Sequence, residues 1–237
     1  MRRMLAAALG GALCAGTAAL AYGVRGRSAG LLAPSVWRGP RWRRFLALTF
    51  DDGPSESTPE LLEILDRYGV RATFFQCGAN IRRLPAVARQ VAAAGHEIGN
   101  HSDTHPRLYF RPAGFIEREL ERAQRAIEDA TGAGCRWFRP PYGARWFGLR
   151  AAQRRLGLTG VMWTLLARDW RLPAATTVRR LLGRVSNGAI LCLHDGRRIQ
   201  PRPDVRETLA AVARLIPALR ERGFGFETVS QILCPAS

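Results

Sequence analysis

The sequence predicts an α/β fold in which about seven strand–helix units lay down a parallel sheet that closes into a barrel. Three observations carry this. Short apolar runs alternate with amphipathic stretches from residue 43 almost to the C-terminus. Chemically capable groups, among them Asp51, Asp52, His101, His105, Arg139, Asp169 and His194, follow those runs, where barrel enzymes place their working residues. The chain's 237 residues, 47% of them apolar, suit one large core.

In chain order, Met1-Arg2-Arg3-Met4 is a short basic region ahead of an Ala/Leu/Gly run that reaches Val24. Residues 1–24 therefore read as either a secretory signal peptide or a single membrane anchor. Ala19-Leu20-Ala21 fits the small-x-small pattern and favours cleavage after Ala21, yet the uncleaved run could span a bilayer through residues 4–24. Either outcome implies export to the periplasm, cell envelope or exterior. The Gly/Pro/Trp-rich residues 25–42 read as a linker, 43–233 as one catalytic domain and 234–237 as a tail.

The domain opens with an apolar strand at 45–50, then a helix at 58–68 whose Leu61, Leu62, Ile64, Leu65 and Tyr68 make one stripe before Gly69. Strands are expected at 70–75, 96–99, 136–138, 158–164, 188–193 and 225–229. Helices between them are expected at 85–94, 112–130, 149–156, 176–185 and 205–222. Asp169-Trp170 would thus follow a single strand over 158–164.

Net charge is +17, and all 36 basic residues are arginine. They scatter along the chain and no zinc-finger, homeodomain or RNA-recognition pattern is visible, so nucleic acid is not expected as a partner. An acidic envelope polymer or lipid headgroup suits such a surface better. Cys14, Cys77, Cys135, Cys192 and Cys234 include no C-x-x-C pair. Buried small hydrophobes are their expected role, with a Cys135–Cys234 bridge open in an oxidising compartment. Oligomeric state is not written in the sequence.

Thr49-Phe50-Asp51-Asp52-Gly53-Pro54 sets two adjacent carboxylates where an apolar run turns into a loop. Like charges so close repel, and a cation is the simplest remedy. With Asp52 on a metal, Asp51 stands free as a general base toward the attacking water. His101-Ser102-Asp103-Thr104-His105 spaces two imidazoles so that one helical turn would put both on one face. One carboxylate and two imidazoles suit Zn²⁺ and also accept Co²⁺, Mn²⁺ or Ni²⁺. Leu191-Cys192-Leu193-His194 ends a buried strand on a polar ring, Arg139-Pro140-Pro141-Tyr142 offers a guanidinium on a stiff turn, and Asp169-Trp170 sets a carboxylate beside an aromatic ring. His96 reads as a packed or hydrogen-bonded histidine and not as a ligand.

Taken together and in this order, these segments closely resemble the polysaccharide deacetylase family, the NodB homology domain of carbohydrate esterase family 4. Ala72-Thr73-Phe74-Phe75, Gly95-His96-Glu97-Ile98-Gly99-Asn100-His101 and Arg206-Glu207-Thr208 extend the resemblance over residues 43–233. It implies a distorted (β/α)7-type barrel holding a divalent metal, most simply Zn²⁺, through Asp52, His101 and His105. Asp51 would be the base, oriented and kept ionised by Arg139. His194 would be the acid, tuned by Asp169. The backbone N–H of Tyr142 would face the oxyanion, and Trp170 and Leu193 would wall the site for an acetyl methyl group.

One departure is Leu166, where members of the family often carry an Asp three residues before the Asp-Trp pair. Asp169 would then support the acid alone. The implied activity is hydrolytic removal of N-acetyl groups from an N-acetylglucosamine-containing envelope glycan. Hydrolysis of a non-glycan C–N bond and a catalytically inactive glycan-binding role are the alternatives.

Overall fold

The computed structural model describes residues 2–234, with side chains from Cys14 onward. After the N-terminal helix α1 (Arg2–Arg25), the strands β1 (Ser35–Val36), β2 (Phe45–Asp51), β3 (Thr73–Gln76), β4 (Glu97–Asn100), β5 (Trp137–Phe138), β6 (Thr159–Val161), β7 (Leu165–Leu166) and β8 (Ala189–His194) build one curled parallel sheet. Its order is β1-β6-β5-β4-β3-β2-β8-β7, and a short β9 (Gly225–Phe226) pairs with the start of β2. The expected barrel is present in this distorted, incompletely hydrogen-bonded form.

Register aims the sheet. Asp51 lies level with Phe75 and His194, Gln76 with Asn100, and Asn100 with Phe138. All parallel strands therefore end on one rim, and whatever follows them converges there. Period-two alternation divides β2 into two faces. Leu46, Leu48 and Phe50 point outward into a core shared with helices α2 (Thr58–Arg67) and α8 (Arg206–Glu221). Ala47 points inward to meet Phe75, Trp137, Val161 and Ile190. Helix α8 contributes Leu209, Val212, Leu215, Ile216 and Leu219, all buried, which at about 1.5–3 kcal/mol per buried large apolar side chain makes it a principal prop of the sheet.

The other helices are α3 (Gly78–Arg83), α4 (Pro85–Ala93), α5 (Ala113–Thr131), α6 (Leu149–Arg155), α7 (Ala174–Leu182) and α9 (Val229–Leu233). Helix α9 fills the amino-terminal mouth of the barrel with Val229 and Ile232. Its capping box between Thr228 and Gln231 is a readable start signal that sequence inspection passed over in favour of a strand at 225–229.

Two further expectations are corrected. Residues 158–164 are not one strand: β6 pairs with β5 and β1, whereas β7 pairs with β8 on the far side of the gap. Nor are residues 25–42 a free linker. They fill that gap, with Met162 N–H donating to the Val36 carbonyl at 2.7 Å and the Thr164 hydroxyl to Trp37 at 2.8 Å. Ala29, Leu32 and Ala33 are buried there. Arg145, itself buried, helps hold the segment: its guanidinium donates to the Gly26 and Ala29 carbonyls and to the Ser35 hydroxyl.

Among the residues with described side chains, no helix is long and apolar enough to cross a membrane. Most of the leader, and the tail beyond residue 234, lie outside that set. All five thiols are free, Cys135 and Cys234 included.

Candidate active site

The rim surrounds a cleft of about 700 Å³ lined by Asp51, Asp52, His101, His105, Tyr142 and His194. Strand alternation would send Asp51 and Asp52 to opposite faces. Asp52 escapes this because its backbone is left-handed, φ 74°, which swings its carboxylate back over the cleft. The bend needs glycine beside it: a Cβ on Gly53 would fall inside the Asp195 carboxylate, and one on Gly196 would strike the Asp52 backbone.

Asp51 Oδ1 accepts from Arg139 Nη1 at 2.6 Å, and its Oδ2 accepts from the Cys192 thiol at 3.3 Å. Arg139 is wholly buried and has no spare freedom. It also donates to Thr49 Oγ1 and to the Val161 and Met162 carbonyls, and it stacks 4.1 Å from the centre of the Phe75 ring. Burial, then the Asp51 charge, pushes Cys192 well up, so it is a neutral donor here.

Asp52 Oδ2 accepts the Arg198 N–H at 2.8 Å. Its Oδ1 is buried and makes no hydrogen bond, yet lies 3.4 Å from His101 Nε2 and 3.0 Å from His105 Nε2. His101 Nδ1 lies 2.8 Å from the Arg139 carbonyl, which assigns its proton to Nδ1 and leaves the Nε2 lone pair toward Asp52.

The two histidines do not share a helical turn. Residues 101–105 are a loop in which Ser102 and His105 are left-handed, with φ 64° and 56°. Glu119 on α5 clamps it by accepting from the N–H groups of Asp103 and Thr104 and from the Thr104 hydroxyl. The spacing of four brings the rings together by this turn, 5.0 Å apart.

Ligand-capable atoms of Asp52, His101 and His105 all lie within 4.8 Å of one another. A buried carboxylate oxygen without a donor, facing two Nε2 atoms, is a donor set that fits a divalent metal.

Across the cleft, Asp169 Oδ1 accepts from His194 Nδ1 at 3.0 Å, while its Oδ2 accepts from the His194 N–H and from the Thr208 hydroxyl. Burial works against a charged imidazole, but the Asp169 charge and hydrogen bond overcome it and lift His194 to about 9. Nε2 is left free to serve the cleft. Asp51, Cys192 and His194 offer atoms within 4.8 Å of one another, so base and acid candidates flank one point. Trp170, 39% exposed, packs edge-on to His194 with ring centres 4.7 Å apart.

Residues 38–161 match the family model described as polysaccharide deacetylase. A chitooligosaccharide deacetylase from Azorhizobium caulinodans is 38% identical over 76% of this chain and 90% of its own length. The chain belongs to the polysaccharide deacetylase family. A peptidoglycan-N-acetylglucosamine deacetylase of Bacillus cereus is 33% identical, covering 84% of this chain and 92% of that one. The family 4 carbohydrate esterase from Streptomyces lividans, solved with acetate, superposes with a TM-score of 0.71 at 35% identity, over 78% of this chain and 93% of its own. These relatives are hydrolases.

In this member of the family, the fold gathers Asp51, Asp52, His101, His105, Arg139, Tyr142, Asp169, Trp170 and His194 at one rim. Leu193 is the exception. It lies level with Phe50 and faces the outer core, because alternation along β8 turns Cys192 and His194 inward instead. The apolar wall expected of Leu193 comes from Trp163, Leu166 and Trp170. Leu166, paired with Cys192 across β7 and β8, lines the cleft where a carboxylate was the family expectation. His96 is set apart from the cleft, its Nδ1 accepting from the Ala72 N–H at 3.1 Å.

Sequence reading also missed Asp195. It is buried behind Gly53, accepts from the Thr58 hydroxyl at 2.6 Å, and burial lifts its carboxyl to about 7. Its place directly after His194 was the available signal.

Proposed function

We propose that the chain removes N-acetyl groups hydrolytically from an N-acetylglucosamine-containing glycan of the cell envelope. The observation carrying this reading is the pairing of Asp51 with Arg139 and of His194 with Asp169 on either side of one point, beside the Asp52, His101 and His105 donors. Asp52, His101 and His105 would hold a divalent metal such as Zn²⁺, which when bound supplies Lewis acidity to the acetyl carbonyl and the attacking water.

This chain's own groups account for the rest. Asp51 takes the proton of the attacking water. Its two oxygens are fixed by Arg139 and Cys192, so it meets the water in one orientation. Tyr142, left-handed at φ 58° and packed on His105, turns its backbone N–H toward the developing oxyanion. His194, charged through Asp169, delivers a proton from Nε2 to the departing amine, which is otherwise a poor leaving group. Trp163, Leu166 and Trp170 exclude water around the acetyl methyl group. The basic–apolar leader supports action outside the cytoplasm.

The test is stoichiometry on a panel of chitooligosaccharide, peptidoglycan and poly-N-acetylglucosamine with metal-loaded protein. Acetate and free amine should appear in equal amounts on at least one glycan. Binding without acetate would refute the reading.

A further inference from the structure

Cations from two distant parts of the chain line the cleft. Arg25, the last residue of α1, lines it together with Arg197 and Arg198, which follow β8. Among the described residues, none of the three guanidiniums has a carboxylate at ion-pair distance, whereas Arg43, Arg82, Arg83 and Arg155 do. Asp204, in the recess next to Arg197, pairs with Arg206. The acids inside the cleft are already committed: Asp51 to Arg139, Asp52 to the imidazoles. With 36 arginines against 19 acidic residues, unpaired arginines are common in this chain, so their number alone decides nothing.

What distinguishes Arg25 and Arg198 is how firmly the backbone presents them, while the Arg197 guanidinium donates to the Gly196 carbonyl at 2.8 Å. Arg198 is left-handed at φ 55°, its N–H on Asp52 Oδ2 and its carbonyl accepting from Asn80 Nδ2 at 2.7 Å. Its guanidinium sits 5.6 Å from the centre of the Tyr142 ring. Arg25 is pinned on both sides, since the Val24 carbonyl accepts the Arg145 N–H and the Gly26 carbonyl accepts the Arg145 guanidinium. One buried residue, through its backbone N–H and its guanidinium, thus holds a leader-proximal cation against the cleft.

We propose that Arg25, Arg197 and Arg198 form an anion subsite, so that the substrate is an N-acetylated glycan bearing a carboxylate or phosphate next to the reacting acetamido sugar. Guanidiniums match both groups in planar, two-pronged hydrogen bonds. A concave site also screens such contacts less than open surface does. The inference rests on the deacetylase reading above.

The test compares kcat/KM for acetate release by the full chain on three probes of equal length: neutral chitotetraose, its 1-phosphate, and a tetrasaccharide alternating N-acetylglucosamine with carboxylate-bearing N-acetylmuramic acid. At least one acidic probe should be favoured about tenfold or more, through KM, as a hydrogen bond to a charged group allows. That preference should shrink as salt rises from roughly 0.05 to 0.5 M. The double substitution Arg25→Gln with Arg198→Gln should erase it, and which acidic probe wins identifies the anion. Equal kcat/KM on all three, or a preference that survives in the double variant, overturns the subsite and leaves the deacetylase reading standing. No acetate from any probe overturns both.

Discussion

His194 and Asp169 set the alkaline behaviour of the site. An acid must be protonated to work, and His194 is lifted from about 6.5 in an unfolded chain to about 9. Its proton is therefore held below that value and lost as pH rises through it, so kcat/KM should fall on the alkaline side near pH 9. Replacing Asp169 by Asn leaves burial as the dominant influence, and the fall should begin at least ~1 pH unit lower. A pH–rate profile checks both, and an alkaline limb in the same place in wild type and Asp169→Asn would contradict the pairing. Gly53 carries a second prediction. Gly53→Ala forces a methyl group into the Asp195 carboxylate, and overpacking of this kind costs about 1–3 kcal/mol. Denaturant titration should register that loss, and activity should fall with it because the bend at Asp52 must move.

At the scale of elements, several rim residues were legible because the polar group directly follows an apolar run, as Asp51 follows Phe45–Phe50 and His194 follows Ala189–Leu193. The phase of β8 was not. Leu191 and Leu193 are apolar, and so is Cys192 between them, so alternation gave no contrast to show that Leu193 faces away. Residues 25–42 were misread for a different reason. One of their ties to the domain is Arg145, one arginine among 36, and nothing local in the sequence marks it as buried. Arg145→Ala should strand the carbonyls of Gly26 and Ala29 and the hydroxyl of Ser35. The expected cost is about 3 kcal/mol, or roughly 6–12 °C in Tm for a domain this size. Thermal unfolding reads this directly, and an unchanged Tm would mean the segment is not part of the folded unit. Truncation to residue 43 should be at least as damaging, since it also removes β1.

Over the whole molecule, the adjacent parallel strands β2, β3 and β4 bring Asp52 within reach of His101 and His105, about fifty positions further along the chain. The crossing at β6 and β7 leaves the barrel open on one side, and residues 25–42 occupy the opening. The chain carries 36 arginines against 19 acidic residues, and Arg25, Arg197 and Arg198 are among the residues that line the cleft. Metal binding and catalysis should separate cleanly across that rim. The deciding measurement is bound metal per chain together with acetate release from chitooligosaccharide, taken on wild type, Asp51→Asn and the His101→Ala/His105→Ala pair. Asp51→Asn should keep the metal and lose at least about a hundredfold in kcat, the usual worth of a positioned base, while the double histidine variant loses both metal and turnover. Full metal occupancy in the double variant, or undiminished turnover in Asp51→Asn, would contradict the assignment of ligands and base.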